Sequence, residues 1–242
     1  MYALLSSYGS FLVPKEHYDE PFTILIKFPS RSRPQKLIDT YQIYITMAER
    51  PDLIHTLITL DQDDPTATDQ LIQSLTAIHP RTKVVIGASA GKIGAVNRDM
   101  EQAGSYDILL LASDDMIPVQ KGYDEIIRRH MKEWYPDRDG VLWYNDGYQG
   151  RNLNTLCILG KPYYDRFGYI YHPSYKSLYS DNEFMEVANR LGKQTYIDSI
   201  IIRHEHPSAI RTIKKDTLYD ENDKYHDMDR DTFMLRKRSG FQ

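Results

Sequence analysis

Charged side chains gather in four short segments, each of which follows an apolar run of strand length. Residues 29–33 read PSRSR, residues 61–64 read DQDD, residues 88–92 read ASAGK and residues 113–115 read SDD. Arginine and lysine side chains neutralise phosphate groups, and aspartates accept hydrogen bonds from base N–H and ribose hydroxyl groups. Aspartate oxygens are also ligands that Mg²⁺ and Mn²⁺ prefer. Together these residue types predict a metal-assisted nucleotide site.

The basic and acidic side chains suit different parts of a nucleotide. Three basic side chains are expected to neutralise a diphosphate, namely Arg31, Arg33 and Lys92. Asp61 or Asp63 is expected to accept a hydrogen bond from a base or a ribose. Asp114 and Asp115 offer ligands for Mn²⁺ or Mg²⁺. Any one segment also fits an ordinary polar loop that caps a helix, but four segments on one sheet edge favour a binding site.

The elements that position these segments alternate along the chain. Strands are predicted at residues 22–28, 53–60, 83–86 and 107–112, and helices near residues 34–48, 71–78, 93–102 and 122–134. This alternation predicts an α/β fold, with a mostly parallel sheet between helices and ligands at the carboxyl ends of the strands. Beyond residue 140 the pattern becomes mixed α+β, with strands at 141–144, 155–159 and 195–203 and a helix near 181–191.

Two common nucleotide-binding motifs do not occur in the sequence. The segment AGKIG is one residue short of a GxxxxGK[ST] loop counted from Gly87 to Lys92, and Ile93 stands where that loop needs a hydroxyl side chain. No GxGxxG motif follows the first predicted strand. A P-loop NTPase and the usual dinucleotide-binding fold are therefore disfavoured.

Composition narrows the class of protein further. The 242 residues suit one large domain, and the net charge of −4 gives no global positive field to recruit nucleic acid. The single cysteine, Cys157, cannot form an intramolecular disulfide, so we expect a reduced, intracellular setting. Neither a signal peptide nor a membrane span is predicted, because the apolar runs are short. We expect a cytoplasmic protein, located in the host cytoplasm if it is viral.

Five motifs in one order resemble a known family. The sequence contains PSRSRP, LDQDDP, LLLASDDM, SDNEF and RHEHP, and it thereby resembles the nucleotide-sugar glycosyltransferases of the GT-A fold, family-2-like group, over residues 22–206. The resemblance implies one Rossmann-like GT-A domain over residues 1–242, with a donor half at 22–118, an acceptor half at 140–206 and a helical tail at 207–242. It implies transfer of a sugar, with inversion, from a UDP-sugar to a hydroxyl acceptor, with Mn²⁺ or Mg²⁺ bridging the diphosphate.

The resemblance also implies roles for residues at the donor site. Its donor-binding positions correspond to Pro29, Arg31, Arg33, Asp61, Asp63, Lys92, Asn97, Ser113 and Asp114. Asp115 takes the last carboxylate of the family's DxD motif, and Ser113 stands where the first aspartate usually stands, which predicts weaker or dispensable metal binding. His206 corresponds to a histidine that completes the metal shell in some members, with His204 as the alternative.

For the base that takes the acceptor's proton, the resemblance implies Asp181, which opens a predicted helix. Glu183 is the alternative base. An aspartate at this position would also stabilise the helix N-terminus without any catalytic role.

The acceptor side is expected at residues 143–152, which read WYNDGYQGRN. Aromatic side chains there suit stacking on a sugar or a base, and polar ones suit hydroxyl groups; they are Trp143, Tyr144 and Tyr148, with Asp146 and Gln149. A polar hairpin with aromatic packing explains the same residues. A second aromatic stretch at 163–179 is expected to form another wall of the site.

The class of acceptor stays open at this stage. Basic clusters at residues 126–132, 210–215 and 235–241 fit either a face that tracks phosphates or ordinary solvated helices. The resemblance implies two classes of acceptor, a glycan or a hydroxymethylated base in DNA. Two other functions compete, a sugar-nucleotidyltransferase and a non-catalytic binding protein on a decayed GT-A scaffold. The sequence predicts no oligomeric state, since it shows no long heptad or apolar stripe.

Overall fold

The computed structural model describes residues 20–206, 221 and 223–242; the predicted basic cluster at 210–215 and the start of the predicted helical tail lie outside them. Its strands are β1 (Ile24–Ser30), β2 (Ile54–Asp61), β3 (Thr82–Gly87), β4 (Ile108–Leu111), β5 (Met116–Pro118), β6 (Val141–Tyr144), β7 (Ile158–Gly160), β8 (Gln194–Ile197) and β9 (Ile202–His204). Its α-helices are α1 (Pro34–Thr46), α2 (Asp69–Ile78), α3 (Gly91–Asn97), α4 (Tyr123–Trp134), α5 (Lys161–Asp165), α6 (Ser180–Arg190) and α7 (His226–Arg238). None of these helices is long and apolar enough to cross a lipid bilayer.

One mixed sheet of seven strands runs through the molecule in the order β3-β2-β1-β4-β7-β6-β8. Strands β3, β2, β1 and β4 are parallel, and β7 pairs antiparallel with both β4 and β6. Strand β8 then joins β6 in parallel. The predicted α/β class with a mostly parallel sheet is confirmed, and strands from both halves of the chain belong to the same sheet.

Strand β1 lies inside the sheet, between β2 and β4, and helices cover both of its faces. Ile24, Ile26 and Phe28 belong to one apolar core, together with side chains of α1 and α4. Leu25 on the opposite face belongs to a second core, together with side chains of α3 and α6. A strand buried on both faces reads as a continuous apolar run, which is why the sequence located β1 and β4 so well.

The helices begin where the sequence offers a suitable first turn. Pro34 starts α1, since its fixed φ suits the first helical position and its missing N–H would have no partner there. At the start of α2, the side chain of Thr68 accepts a hydrogen bond from the backbone N–H of Leu71 at 3.2 Å. Each of these helices therefore begins directly after a polar loop at the carboxyl edge of the sheet.

The predicted strand at residues 195–203 is wrong as a single element. Residues of β8 extend the large sheet, whereas β9 pairs antiparallel with β5 in a separate two-stranded ribbon. The chain bends between them, where the carboxylate of Asp198 accepts hydrogen bonds from Asn145 and Tyr196, both at 2.9 Å. The expected helix over residues 93–102 also ends early, at Asn97, and a 3₁₀ turn follows Asp99, whose φ is +68°.

Candidate active site

Loops that follow β1, β2 and β3 meet at the carboxyl edge of the sheet, as the sequence predicts. Arg31 Nη1 lies 3.0 Å from Asp61 Oδ2 and 2.5 Å from Asp63 Oδ1. The Ser89 hydroxyl also donates to Asp63. Hydrogen bonds from Arg31 and Ser89 lower the pKa of Asp63 to about 2. The Asp63 carboxylate is therefore ionised at neutral pH. Its side chain is exposed, whereas Asp61 is buried.

Arg98 is a member of this edge that the sequence did not point to. Its guanidinium donates to the carbonyls of Leu60 and Ala88, at the ends of β2 and β3, and its Nη2 lies 3.2 Å from Asp61 Oδ1. It rests against Gly87, where an added Cβ would come within 3.1 Å of Nη1. Arg98 therefore joins the ends of two strands and balances the charge of Asp61.

A second ion-pair group joins the loop after β1 to the loop after β4. Arg33 Nη1 lies 2.9 Å from Asp114 Oδ1, and Lys36 Nζ lies 3.4 Å from the same oxygen. Burial raises the pKa of Asp114, although the charges of Arg33 and Lys36 oppose that shift. Lys36 is a further basic residue that the sequence analysis missed. Its position in the first turn of α1 places it beside the predicted donor loop. Pro29 lies within β1, opposite Thr59.

The two-stranded ribbon brings a histidine to the SDD segment. Met116 pairs with His204, and the backbone N–H of Glu205 donates to the carbonyl of Asp115 at 2.7 Å. His204 Nε2 then lies 3.7 Å from Asp115 Oδ2, and Nδ1 lies 3.5 Å from Asp146 Oδ2. Burial lowers the pKa of His204, but the two carboxylates outweigh it and raise the pKa to about 9.

His206, the first choice for a metal ligand, lies one step further out. Its ring stacks on Tyr148 with centroids 5.3 Å apart and planes 9° apart, and it meets the His204 ring edge-on at 5.4 Å. The alternative, His204, is the histidine that the structure places against Asp115. Ser113 donates its hydroxyl proton to the Asp115 carboxylate, so the residue in the first DxD position orients the last one.

A divalent cation at this edge would need carboxylate or imidazole ligands. Among the described residues, no group of three or more His, Cys, Asp or Glu side chains is arranged to hold a metal ion. Asp115 and His204 nevertheless offer one carboxylate and one imidazole that face each other. Mg²⁺ is commonly held by one or two protein side chains, with phosphate and water completing its shell. The pair therefore fits Mn²⁺ or Mg²⁺ bound jointly with a diphosphate.

Asp146 organises the loop after β6 instead of presenting a free carboxylate to a ligand. Its Oδ1 accepts the backbone N–H groups of Tyr148, Gln149 and Gly150 at 2.9, 2.7 and 3.1 Å. Its Oδ2 accepts the Thr155 hydroxyl at 2.6 Å. Burial raises the pKa of Asp146, but the hydrogen bonds that it accepts lower it well below the usual value. The expected role in binding acceptor hydroxyls therefore does not agree with the geometry of Asp146.

Trp143 and Tyr144 also differ from the prediction, because β6 lies inside the sheet and buries both side chains. The Tyr144 hydroxyl is 2.8 Å from Nδ1 of His130, a residue of α4. The Trp143 ring meets the Tyr196 ring edge-on, with centroids 5.0 Å apart. Tyr148 is the aromatic residue of this segment that lies beside His204 and His206. Gln149 donates a hydrogen bond to Asp146 through its backbone N–H.

Asp181 lies in the first turn of α6, as the sequence predicts. Burial raises its pKa, while the positive charges of Lys92 and His204 oppose the shift. The charges of Lys92, in the first turn of α3, and of His204, in the ribbon, thus act on Asp181. A carboxylate with a raised pKa beside cationic groups has the properties of a general base.

Two predicted site residues serve the architecture instead. Asn97 accepts the N–H groups of Ile170 and Tyr171 at 2.9 and 3.1 Å, and donates to the Tyr171 carbonyl at 2.6 Å. Glu183 is buried and accepts hydrogen bonds from Arg236, at 2.7 and 2.8 Å, and from the Tyr175 hydroxyl at 2.7 Å. Glu183 is therefore unsuited to be a base, because its carboxylate already holds three hydrogen bonds.

Comparison with solved structures identifies the fold as that of the GT-A glycosyltransferases. The mannosyltransferase PcManGT from Pyrobaculum calidifontis, in complex with GDP-Man and Mn²⁺, is 10% identical with a TM-score of 0.63, over 78% of this chain and 58% of its own. S. aureus TarS 1-349 in complex with UDP-GlcNAc is 14% identical with a TM-score of 0.63, over 81% of this chain and 60% of its own.

A longer TarS structure is also 14% identical, with a TM-score of 0.61 over 77% of this chain and 37% of its own. The matched region thus spans at most about three fifths of these relatives. No protein-family model matches the sequence, and no curated protein matches it.

Proposed function

We propose that this chain transfers a sugar from a nucleotide-sugar donor to a hydroxyl acceptor. The observation that carries the proposal is the convergence of basic and acidic side chains at the carboxyl edge of the parallel strands. The members of this group are Arg31, Arg33, Lys36, Asp63, Asp114, Asp115 and His204. Ligands of open α/β sheets bind at this edge. Solved structures of similar fold hold GDP-Man or UDP-GlcNAc.

For the donor, we propose a UDP-sugar. Asp63 and Arg31, at the open end of the loop after β2, suit the N–H and carbonyl groups of a base. Arg33, Lys36 and Lys92 suit the diphosphate, and the single charge of Asp114 leaves this group net positive. The UDP-GlcNAc bound to TarS supports the choice of uridine.

Asp115 and His204 would hold Mn²⁺ or Mg²⁺ together with the diphosphate, and His204 would release a proton on binding the cation, because only a neutral imidazole ligates a metal. When bound, the cation stabilises negative charge on the departing nucleoside diphosphate. Asp146, beside Nδ1 of His204, orients the imidazole so that Nε2 faces Asp115. Because Ser113 replaces a second carboxylate, we expect weaker metal binding than a DxD motif provides.

Asp181 serves as the base in this proposal. Burial raises the pKa of Asp181, and a higher pKa makes the carboxylate a stronger base for the acceptor hydroxyl's proton. Attack on the anomeric carbon then comes from the face opposite the diphosphate and inverts its configuration. The positive charge of Lys92 stabilises the ionised form of Asp181 before the proton arrives.

The acceptor side is built around Tyr148. Its ring and that of His206 are stacked beside His204, and they offer a flat face at the edge of the site. Both a sugar ring and a nucleobase pack on such a face. Glycans and duplex DNA that carries hydroxymethylated bases are therefore the two acceptor classes to test.

The first experiment is a thermal-shift panel of nucleoside diphosphates and nucleotide sugars, with and without Mn²⁺. A ligand that binds only the folded state raises the melting temperature by mass action. Stabilisation by UDP and a UDP-sugar, followed by slow donor hydrolysis, is the expected result. The absence of stabilisation by every nucleotide would instead support a non-catalytic scaffold. Release of pyrophosphate from a nucleoside triphosphate and a sugar phosphate would indicate a nucleotidyltransferase.

The matched variants for this experiment are Asp181→Asn and Asp39→Asn. Asp181→Asn should bind the donor as the wild type does but lose hydrolysis and transfer, since the amide cannot accept the proton. Asp39→Asn removes an exposed charge on α1 whose carboxylate, among the described residues, accepts a hydrogen bond only from Gln35, at 2.7 Å, and the variant should behave as the wild type.

A further inference from the structure

The C-terminal helix α7 holds the chain segment that leads into α6. Asp229 on α7 is fully buried, and its Oδ1 accepts the backbone N–H of Lys176 at 2.9 Å. Its Oδ2 accepts the N–H groups of Ser177 and Leu178, both at 2.8 Å. One carboxylate thus satisfies three consecutive backbone donors in a stretch without helix or strand. Charge-assisted hydrogen bonds of this kind are about twice as strong as neutral ones.

A second attachment lies on the other side of the α6 N-terminus. Arg236, two turns further along α7, forms a two-pronged ion pair with Glu183 at 2.7 and 2.8 Å. The Tyr175 hydroxyl donates to the same carboxylate at 2.7 Å. Phe233 packs against Tyr179, with ring centroids 5.8 Å apart. The α7 helix therefore grips residues both before and after position 181.

The backbone between these attachments is in an uncommon conformation. Tyr179, which directly precedes α6, has a φ of +60°, a region that side chains other than glycine rarely adopt. This conformation persists only where surrounding contacts determine it. The contacts come from α7, through Asp229 at residues 176–178 and through Phe233 at Tyr179 itself. The turn they hold sets the direction of the first turn of α6, where Asp181 lies.

From this arrangement we infer that Asp229 and Arg236 are positioning residues that fix Asp181 for proton transfer. The inference rests on the proposed role of Asp181 as the base. Neither residue touches the substrate; each acts through the backbone on one side of Asp181. Loss of either attachment should displace the base while leaving the donor loops after β1, β2 and β4 unchanged. A shift of about 1 Å in a reacting group lowers catalysis roughly 100-fold.

The test compares two variants on the same helix, Asp229→Asn and Asp231→Asn. Asp231 is exposed and pairs only with Arg230 among the contacts that the structure describes, so it controls for a change of charge on α7. Calorimetry with UDP-sugar measures the number of binding sites and the donor Kd, and steady-state assays give kcat and both KM values. We divide kcat by the number of binding sites, so that unfolded protein does not count as slow enzyme.

For Asp229→Asn we expect kcat per donor site to fall about 10- to 100-fold, with the donor Kd within about twofold of wild type. Asp231→Asn should match the wild type. Hydrogen exchange should show faster exchange of the amides of residues 176–178 in Asp229→Asn only. If Asp229→Asn folds poorly, Arg236→Lys, which keeps the charge but loses the two-pronged geometry, should give a smaller fall in kcat per site.

The outcomes separate the two claims. If Asp229→Asn and Arg236→Lys lose donor sites but keep the wild-type kcat per site, α7 only stabilises the fold and the inference is overturned. If the wild-type chain binds no nucleotide sugar and consumes none, the proposed function fails, and the inference fails with it.

Discussion

Replacing Asp146 with alanine tests the interpretation of this residue as the organiser of the loop after β6. The variant leaves four hydrogen-bond donors without their acceptor, namely three backbone N–H groups and the Thr155 hydroxyl, and it also removes the carboxylate that pairs with His204 Nδ1 at 3.5 Å. Each such hydrogen bond contributes about 1 kcal/mol net. Water can reach the half-buried backbone of residues 148–150 and recover part of the loss. We therefore expect the free energy of unfolding to fall by about 3 kcal/mol.

For a chain of this size, a loss of about 3 kcal/mol lowers the melting temperature by roughly 6–12 °C. Urea unfolding followed by circular dichroism gives the free energy, and differential scanning calorimetry gives the melting temperature. Asn145→Ala is the control on the neighbouring residue. Its side chain makes two exposed hydrogen bonds, to Asp198 and Gly147, and its removal should cost less than about 1 kcal/mol.

An Asp146→Ala variant that lies within about 1 kcal/mol of the wild type would contradict this reasoning. The loop would then be held by its backbone geometry alone. A second outcome of interest is the acceptor KM, which should rise in Asp146→Ala because Tyr148 loses the hydrogen bond that holds its backbone in place.

Three further predictions concern single side chains. Asp181→Asn should lower kcat about 10²- to 10⁴-fold in a transfer assay, while the donor Kd stays within about twofold of wild type; an unchanged kcat would exclude this base. Tyr148→Ala should raise the acceptor KM about fivefold, since ring stacking contributes about 1 kcal/mol, whereas the buried Tyr144→Phe should keep wild-type kinetics. Burial lowers the pKa of Lys27 to about 8, below its unfolded value of 10.5, so the unfolded state binds more protons between these pH values. Wild-type stability should therefore rise relative to Lys27→Met as the pH increases from 8 to 10, as measured by urea unfolding, and a flat difference would contradict the shift.

The donor edge could be predicted from the sequence because of a simple topological rule. Strands β1 and β4 are buried on both faces and mostly apolar, so the sequence revealed their positions, and parallel strands place the loops that follow them side by side. Arg31 with Asp63 and Arg33 with Asp114 then meet as expected. The order of strands and helices predicts that these loops are neighbours, and the alternating pattern of hydrophobicity reveals that order.

The residues that were missed or given another role owe their positions to the length of a side chain or to burial. A linear pattern of residue types shows neither. Arg98 follows α3 and extends back over Gly87 to two carbonyls, and nothing in its sequence neighbours distinguishes it from a solvated arginine. Trp143 and Tyr144 lie beside polar residues but belong to an inner strand. Glu183 is a residue type that can act as a base. Its partner, Arg236, lies 53 positions further along the chain, so the local sequence does not reveal the ion pair.

The two-stranded ribbon decides which histidine serves the SDD segment. In an antiparallel pair, a slip of two residues preserves the faces of the side chains. Such a slip would place His206 instead of His204 opposite Met116. Two backbone hydrogen bonds, from His204 to Asp146 and from Glu205 to Asp115, select the present alignment. One of these two bonds ends on the loop after β6, so that loop helps to fix which histidine lies beside the SDD segment.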